Sequence, residues 1–211
     1  MATQEIQTIR ASYRLTGFTP LLGSQPAQRA VRTAYISSKA PTPQIIEGED
    51  ALGPDIEEKG LTVFLRNDPG NTLCLRSYVI NGFFKGALKA LKSQCGVANA
   101  ASKVDQYVFP QGWLLPITRD GVPIEDEDDV LERPLRCATM QGERVTLAAS
   151  EQIDDPWQIE FSIELLPNEG TAKSKALTLE MLETALNYGR LKGLGQWRNA
   201  GHGKFHWERI G

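Results

Sequence analysis

Cysteine and histidine are scarce in this 211-residue chain, which contains three cysteines and two histidines. Cys74, Cys95 and Cys137 lie far apart and are odd in number, which argues against a disulfide framework and against a zinc site. On one extended strand, His202 and His206 would lie about 13 Å apart, too far to share a metal ion. The sequence therefore predicts no metal and no cofactor.

A long apolar run and an excess of positive charge are also missing. No apolar run approaches the roughly 20 residues that a membrane helix needs, and the amino-terminal segment has no basic region followed by an apolar one. We therefore expect a cytoplasmic protein with no membrane partner, a setting that suits its free thiols. The net charge is −3 at pH 7, which excludes a chain that coats nucleic acid through its overall charge.

Charge is unevenly distributed along the chain, and this distribution is more informative than the total. Residues 47–59 contain six acidic residues and one lysine, and every residue from 125 to 129 is acidic. Between residues 85 and 105, four lysines accompany a single aspartate. Acidic residues thus collect in predicted loops and basic residues on predicted regular elements. Solubility and a binding surface both explain this separation.

Hydrophobic periodicity predicts the regular elements. Strict alternation predicts strands over residues 9–15 and 157–165, and apolar residues at three- and four-residue spacing predict a helix over 80–91. A second helix is predicted to begin after the N-cap Thr178 and to end near Gly193. Shorter stretches predict strands at 106–109, 113–117 and 203–210, hairpins at 61–76 and 134–150, a short helix at 26–35 and a long loop at 39–60.

The order of the main elements predicts the fold class. Without the hairpins, the chain reads strand, helix, strand and then strand, helix, strand again, which is the split βαβ arrangement. We therefore predict an α+β, ferredoxin-like or RNA-recognition-motif-like antiparallel sheet with two packing helices and inserted β-hairpins and loops. Residues 1–211 would form one domain with insertions at about 39–76 and 110–152. The sheet face that the helices leave free, together with its loops, is expected to carry function.

A glycine-rich segment, residues 193–203, is the most unusual stretch of the sequence. Its four glycines permit positive φ angles and a close approach of a ligand to the backbone. Basic side chains and an aromatic ring are what a nucleic-acid backbone and an unstacked base require. The segment and its flanks supply Arg190, Lys192, Trp197, Arg198, His202 and Lys204. The alternative is a plain connection in which Trp197 packs on the core.

A lysine stripe on the first predicted helix is a second candidate surface. Lys85, Lys89 and Lys92 recur at spacings of four and three residues and could follow phosphates along one helical face. A solvated helix face explains them equally well. The acidic run 125–129 lacks the alternation and the central glycine of an EF-hand loop, so a solvated turn explains it better than a calcium site.

Three segments resemble an uncharacterised family of phage and prophage proteins. They are LTGFTPLL at residues 15–22, NGFFKGAL at residues 81–88, and GLGQWR at 193–198 with GKF at 203–205. That family is similar in turn to the RAMP superfamily of CRISPR systems, above all to the backbone subunits that coat guide RNA. The resemblance implies an RNA-recognition-motif-like core in which Lys85, Arg198 and Lys204 contact a nucleic-acid backbone.

These features predict a non-catalytic protein that binds single-stranded RNA or DNA, of phage or CRISPR-related origin. The resemblance also implies self-association or membership of a CRISPR-type protein complex, because related proteins stack along a strand. No counterpart of the catalytic aspartate or histidine of the nuclease branches is evident in the sequence. Two alternatives stay open: a phage protein that binds and inhibits a host defence complex, which the acidic loops favour, and a nuclease with a dispersed site.

Overall fold

The alternation of the first predicted strand produces a strand with one buried face. The computed structural model describes residues 6–27, 61–139, 142–172 and 174–211, and in it β1 spans Ile9–Gly17. Its buried side chains include Tyr13 and Leu15. The other elements are β2 (Leu21–Leu22), β3 (Gln25–Pro26), β4 (Leu61–Val63), β5 (Leu65–Asn67), β6 (Thr72–Arg76), α1 (Tyr78–Ala90), α2 (Lys92–Cys95), α3 (Ala100–Tyr107), β7 (Val108–Pro110), β8 (Leu114–Arg119), β9 (Val122–Pro123), β10 (Asp129–Thr139), β11 (Gly142–Ile153), β12 (Gln158–Leu165), α4 (Leu179–Leu186) and β13 (Phe205–Arg209).

The main sheet confirms the predicted fold class. Its strand order is β13–β1–β12–β8–β6–β5, with β7 paired to β12 and β9 paired to β8. Every pairing in this sheet is antiparallel. The first strand–helix–strand unit is β1, α1 and the broken strand β7/β8, and the second is β12, α4 and β13. The last strand of the chain therefore pairs with the first, as the ferredoxin-like arrangement requires.

Helices α1 and α4 contribute to one core with the covered face of the sheet. Helix α1 buries Phe83, Phe84 and Leu88, and α4 buries Leu182 and Leu186. These side chains belong to a single hydrophobic cluster together with the buried residues of β1 and β12. The Thr178 hydroxyl accepts a hydrogen bond from the Met181 amide, which confirms it as the N-cap of α4. Among the described residues, no helix is both long and apolar enough to cross a bilayer.

A second sheet stands beside the first and is built mostly from one long hairpin. Strands β10 and β11 pair over their full length, which confirms the predicted hairpin and extends it. The order is β10–β11–β4–β3, and β2 also pairs with β11. The buried carboxylate of Glu151 accepts a hydrogen bond from the Phe64 amide at 2.7 Å. It also forms an ion pair with Arg66 at 3.1 Å. This network connects β11 to the segment that enters the main sheet.

Several predicted boundaries are wrong. The predicted strand at 106–109 begins only at Val108, because Gln106 and Tyr107 belong to α3, a helix that was not predicted. Only Ala100 and Val104 of α3 are buried, which is too short an apolar pattern to reveal a helix. The second predicted helix ends at Leu186 and continues as a 3₁₀ turn, Asn187–Arg190. Pro26 lies in β3 and Ala27 follows it without helical structure, while residues 28–35 of the predicted helix, like the loop at 39–60, lie outside the described residues.

Candidate nucleic-acid interface

A cleft of about 370 Å³ lies between helix α1 and the segment that follows α4. Its floor comes from α1, where Gly86, Ala87 and Ala90 carry little or no side chain. The opposite side is formed by Tyr188 and by two basic residues of the glycine-rich segment and its flank, Lys192 and Arg198, while Phe83 and Lys89 complete the α1 side. The fold therefore brings one residue of the predicted lysine stripe together with two residues of the predicted glycine-rich site.

The floor of this cleft is open at Gly86. A Cβ atom added at Gly86 would meet no heavy atom within 4 Å, so no core residue requires a glycine there. A ligand can approach the helix backbone closely where side chains are absent. Gly82, one helical turn earlier, also faces open space, but it does not line the cleft.

The three basic residues of the cleft differ in pairing from five of the nine arginines whose side chains the structure describes, since those five form ion pairs. Lys89, Lys192 and Arg198 have no ion-pair partner within the described ranges. By contrast, Lys85 pairs with Asp105 on α3 at 2.5 Å. The predicted stripe is therefore not one continuous basic face. Lys85 is neutralised by α3, and helix α1 ends before Lys92, which lies exposed on α2.

The two ends of the glycine-rich loop pack closely against each other through their backbones. The Leu194 amide donates a hydrogen bond to the Gly203 carbonyl at 2.8 Å, and a Cβ atom at Gly193 would fall 2.0 Å from the Gly203 backbone. Gly203 itself adopts a φ of 69°. Only glycine fits these two positions. The residues between them therefore form a closed loop with a fixed base.

Trp197 lies on this loop and is outside the hydrophobic core. Its side chain is 38% exposed, and its backbone has a φ of 51°, which is unusual for a bulky residue. The Arg133 guanidinium carbon lies 4.5 Å from the centre of the indole ring. The His202 ring stacks on the same indole with a centroid distance of 5.3 Å and an interplanar angle of 10°. Two side chains therefore hold the ring in a defined place.

Arg133 is a site residue that sequence reasoning missed. It lies on β10 with only 8% of its surface exposed, and it donates hydrogen bonds to the Ser150 hydroxyl at 3.3 Å and to the Gln196 side-chain oxygen at 3.2 Å. Burial lowers the pKa of Arg133 from its ordinary value. Nothing in the local sequence separates this arginine from any other strand residue, because its partners lie elsewhere in the chain.

The remaining predicted site residues lie around the loop. Arg190 is exposed at the end of the 3₁₀ turn and does not line the cleft. The Lys204 amide donates to the Thr19 hydroxyl at 2.8 Å, and its ammonium group lies beside Gly201. Burial and the nearby charge of Arg133 lower the pKa of His202. His206 is exposed on β13 and stacks on the Phe18 ring at 4.6 Å.

The free face of the main sheet, where function was expected, carries paired charges. Arg14 contacts Glu160 at 2.7 Å and Glu208 at 2.8 Å across neighbouring strands. Arg10 contacts Glu164 at 2.6 Å in the same way. This face therefore offers little net positive charge, and the three unpaired basic groups of the cleft lie instead beside α1 and the glycine-rich loop.

The acidic run also has partners inside the protein. Glu127 pairs with Arg66 at 2.7 Å, and Asp128 pairs with Arg119 at 2.6 Å. Asp128 accepts a further hydrogen bond from the Asp154 amide. Two of these five acidic residues therefore fix the start of β10. Within the described ranges, no group of three or more His, Cys, Asp or Glu side chains is placed to hold a metal ion.

Comparisons with known proteins find structural likeness but no sequence match. No family model and no curated protein matches the chain. The chain is similar to a chain in the cryo-EM structure of the Type III-B Cmr-beta bound to cognate target RNA. The TM-score is 0.47 at 10% identity, and the match covers 96% of this chain but only 60% of the length of that chain. A likeness at this level says nothing about which residues bind a ligand.

Proposed function

We propose that the protein binds single-stranded nucleic acid in the cleft between α1 and the glycine-rich loop. The observation that carries this proposal is the convergence of Lys89, Lys192 and Arg198 on one cleft without acidic partners among the described residues. Unpaired basic groups that converge on a concave surface attract phosphates and release the counterions bound to them.

The preference for single strands comes from Trp197. Trp197 immediately precedes Arg198 of the cleft, and its ring is partly exposed. An aromatic ring stacks on a base only when that base is not stacked on its neighbours. In a duplex the bases are already stacked, so the ring has nothing to bind. RNA and DNA single strands both offer the required phosphate and base.

Binding of a short labelled oligonucleotide, followed by fluorescence anisotropy, tests the proposal. Single-stranded RNA, single-stranded DNA and the duplex of the same sequence are compared at one salt concentration. Arg198→Gln, Lys89→Gln and Lys192→Gln are each expected to weaken single-strand binding about fivefold at 0.1 M salt, the effect of losing one phosphate contact.

Lys103→Gln is the matched control, because Lys103 lies on α3 and donates to the Lys175 carbonyl rather than lining the cleft. Its affinity should equal that of the unchanged protein. Equal losses in the control and the cleft variants would overturn the proposal. Salt-insensitive binding to a protein partner without oligonucleotide binding would instead support the inhibitor of a defence complex, and loss of labelled oligonucleotide on addition of metal would support a nuclease.

The CRISPR-type or phage setting and the assembly with other subunits belong to the same proposal. The resemblance of the three segments supports them. If copies stack along a strand, the number of bound copies should rise stepwise with oligonucleotide length, as measured by light scattering after size-exclusion chromatography. One bound copy at every length would contradict stacking.

A further inference from the structure

The charge of Arg133 lacks compensation within the described part of the chain. Its two hydrogen-bond partners, Ser150 and Gln196, are neutral. Its Nε atom is buried and has no hydrogen-bond partner. A buried guanidinium is normally paired with a carboxylate or another anion, because an unpaired buried charge is unfavourable.

The other residue that contacts the Trp197 ring, His202, also has an unsatisfied nitrogen. The Nδ1 atom of His202 is also buried without a hydrogen-bond partner. Arg133 and His202 both touch the indole, so two unsatisfied nitrogen atoms border one aromatic ring. Buried polar atoms without partners are rare in native proteins, and two of them together point to a missing ligand.

The chemistry of the two groups selects an anion with several acceptor oxygens. A guanidinium binds a phosphate through two parallel hydrogen bonds. An internal phosphodiester carries one charge and continues on both sides, so it cannot reach a guanidinium that is only 8% exposed. A terminal phosphate carries a charge of about −1.5 to −2 at pH 7 and three acceptor oxygens, and it is attached on one side only.

We propose that Arg133, assisted by His202, binds the terminal phosphate of a nucleic-acid strand whose end base stacks on Trp197. This inference rests on the proposed function and adds recognition of a strand end to it. Entry of the phosphate requires the indole to shift away from the guanidinium. Gly201, at a φ angle of 99°, has only the flexible end of the Lys204 side chain within 4 Å of where a Cβ atom would lie, so the loop has room for such a shift there.

The test compares one single-stranded oligonucleotide in three forms: with a 5′-phosphate, with a 3′-phosphate and with neither. One phosphorylated form is expected to bind about tenfold tighter than the unphosphorylated form, because hydrogen bonds to charged groups are stronger than neutral ones. The phosphorylated form that binds more tightly shows which end of the strand, 5′ or 3′, the protein recognises. In Arg133→Gln that advantage should disappear, so that the phosphorylated and unphosphorylated forms bind with equal affinity.

Arg76→Gln is the matched control, since Arg76 also lies over an indole ring, that of Trp113, but outside the proposed site. It should keep the full preference for the phosphorylated end. His202→Gln should lose part of the preference. Thermal melting distinguishes a structural role for Arg133. The gain from removing an uncompensated buried charge opposes the loss of its contact with Trp197, so the melting temperature of Arg133→Gln should stay close to that of the unchanged protein.

The outcomes separate this inference from the proposed function. Failure of every oligonucleotide to bind contradicts the proposed function itself. Equal affinity for the three forms leaves single-strand binding intact and overturns end recognition. A preference that survives in Arg133→Gln, or an Arg133→Gln protein that melts far below the unchanged protein, also overturns the assignment of Arg133.

Discussion

At the scale of single residues, Trp197 occupies a conformation that few tryptophans adopt. Its positive φ angle costs roughly 1–3 kcal/mol, and the surrounding structure must offset this strain. The Arg133 guanidinium and the His202 ring both contact the indole, and such cation–π and stacking contacts stabilise it. Two polar side chains thus hold the partly exposed ring of the residue that precedes Arg198 of the cleft.

Trp197→Ala should weaken single-strand binding roughly tenfold, the typical effect of removing one base–aromatic stack. The dependence of affinity on salt should not change, since stacking neutralises no phosphate. Trp113→Ala is the matched control, because Trp113 is 70% exposed and also lies under an arginine. Parallel anisotropy titrations of both variants check this. A similar loss in Trp113→Ala, or a shallower salt dependence in Trp197→Ala, would contradict the stacking role.

His202 gives the protein a pH-dependent stability at the same place. Burial and the charge of Arg133 lower its folded-state pKa below the ordinary value of about 6.5, although the Pro20 carbonyl opposes them. The unfolded chain therefore takes up a proton first as the pH falls. The stability contributed by neutral His202 is complete above about pH 6.5 and is lost as the pH falls through the lower folded-state pKa.

Urea unfolding at several pH values between about 5 and 7.5 checks this expectation. The free energy of unfolding should fall more steeply with decreasing pH in the unchanged protein than in His202→Gln. His206→Gln makes the same substitution on an exposed residue and should retain the steep dependence. Asp128, whose pKa is lowered mainly by its hydrogen bond from Arg119, affects stability only below about pH 4. Identical pH curves for all three proteins would contradict the assignment to His202.

At the scale of elements, helix α1 contributes to both the core and the cleft. One face buries Phe83, Phe84 and Leu88, while Gly86 and Ala90 leave room on the cleft side. Glycine inside a helix destabilises it relative to other residues. Because nothing in the described structure fills the space at Gly86, a role in ligand access explains the small residue better than packing does.

Gly86→Glu should therefore abolish oligonucleotide binding, since it fills the cleft with a negative charge. Gly82→Glu makes the same change on the same helix outside the cleft and should bind normally. Both variants should be slightly more stable than the unchanged protein, by roughly 0.5–1 kcal/mol, because glutamate is the better helix former. Anisotropy with parallel thermal melts measures both effects. Equal binding by the two variants would place the nucleic acid elsewhere.

At the scale of the whole molecule, local patterns predicted the main sheet better than the site. Alternation along β1 and β12 and the apolar stripe of α1 depend on neighbours a few residues apart, so the sequence shows them directly. Pairing of Lys85 with Asp105 on α3 and the stacking of Arg133 on Trp197 depend on distant residues meeting in three dimensions. Helix α3 was missed because only two of its residues are buried, so it shows no apolar stripe.

The candidate site was partly predictable for the same reason. The glycines of residues 193–203 signal an unusual loop, and the basic residues beside them stand out in the sequence. The sequence does not reveal that Arg198 faces Lys89 across a cleft while Trp197 faces the second sheet. These opposite directions depend on the close backbone packing of Gly193 against Gly203 at the base of the loop. Only the folded chain shows this packing.

The salt dependence of single-strand binding tests the central claim most directly. With three phosphate contacts, from Lys89, Lys192 and Arg198, the logarithm of the association constant should fall with the logarithm of salt concentration with a slope of about −2. In Arg198→Gln the slope should be shallower by about 0.7, and in Lys103→Gln it should not change. A slope near zero, or the same slope in Arg198→Gln as in the unchanged protein, would contradict binding in this cleft.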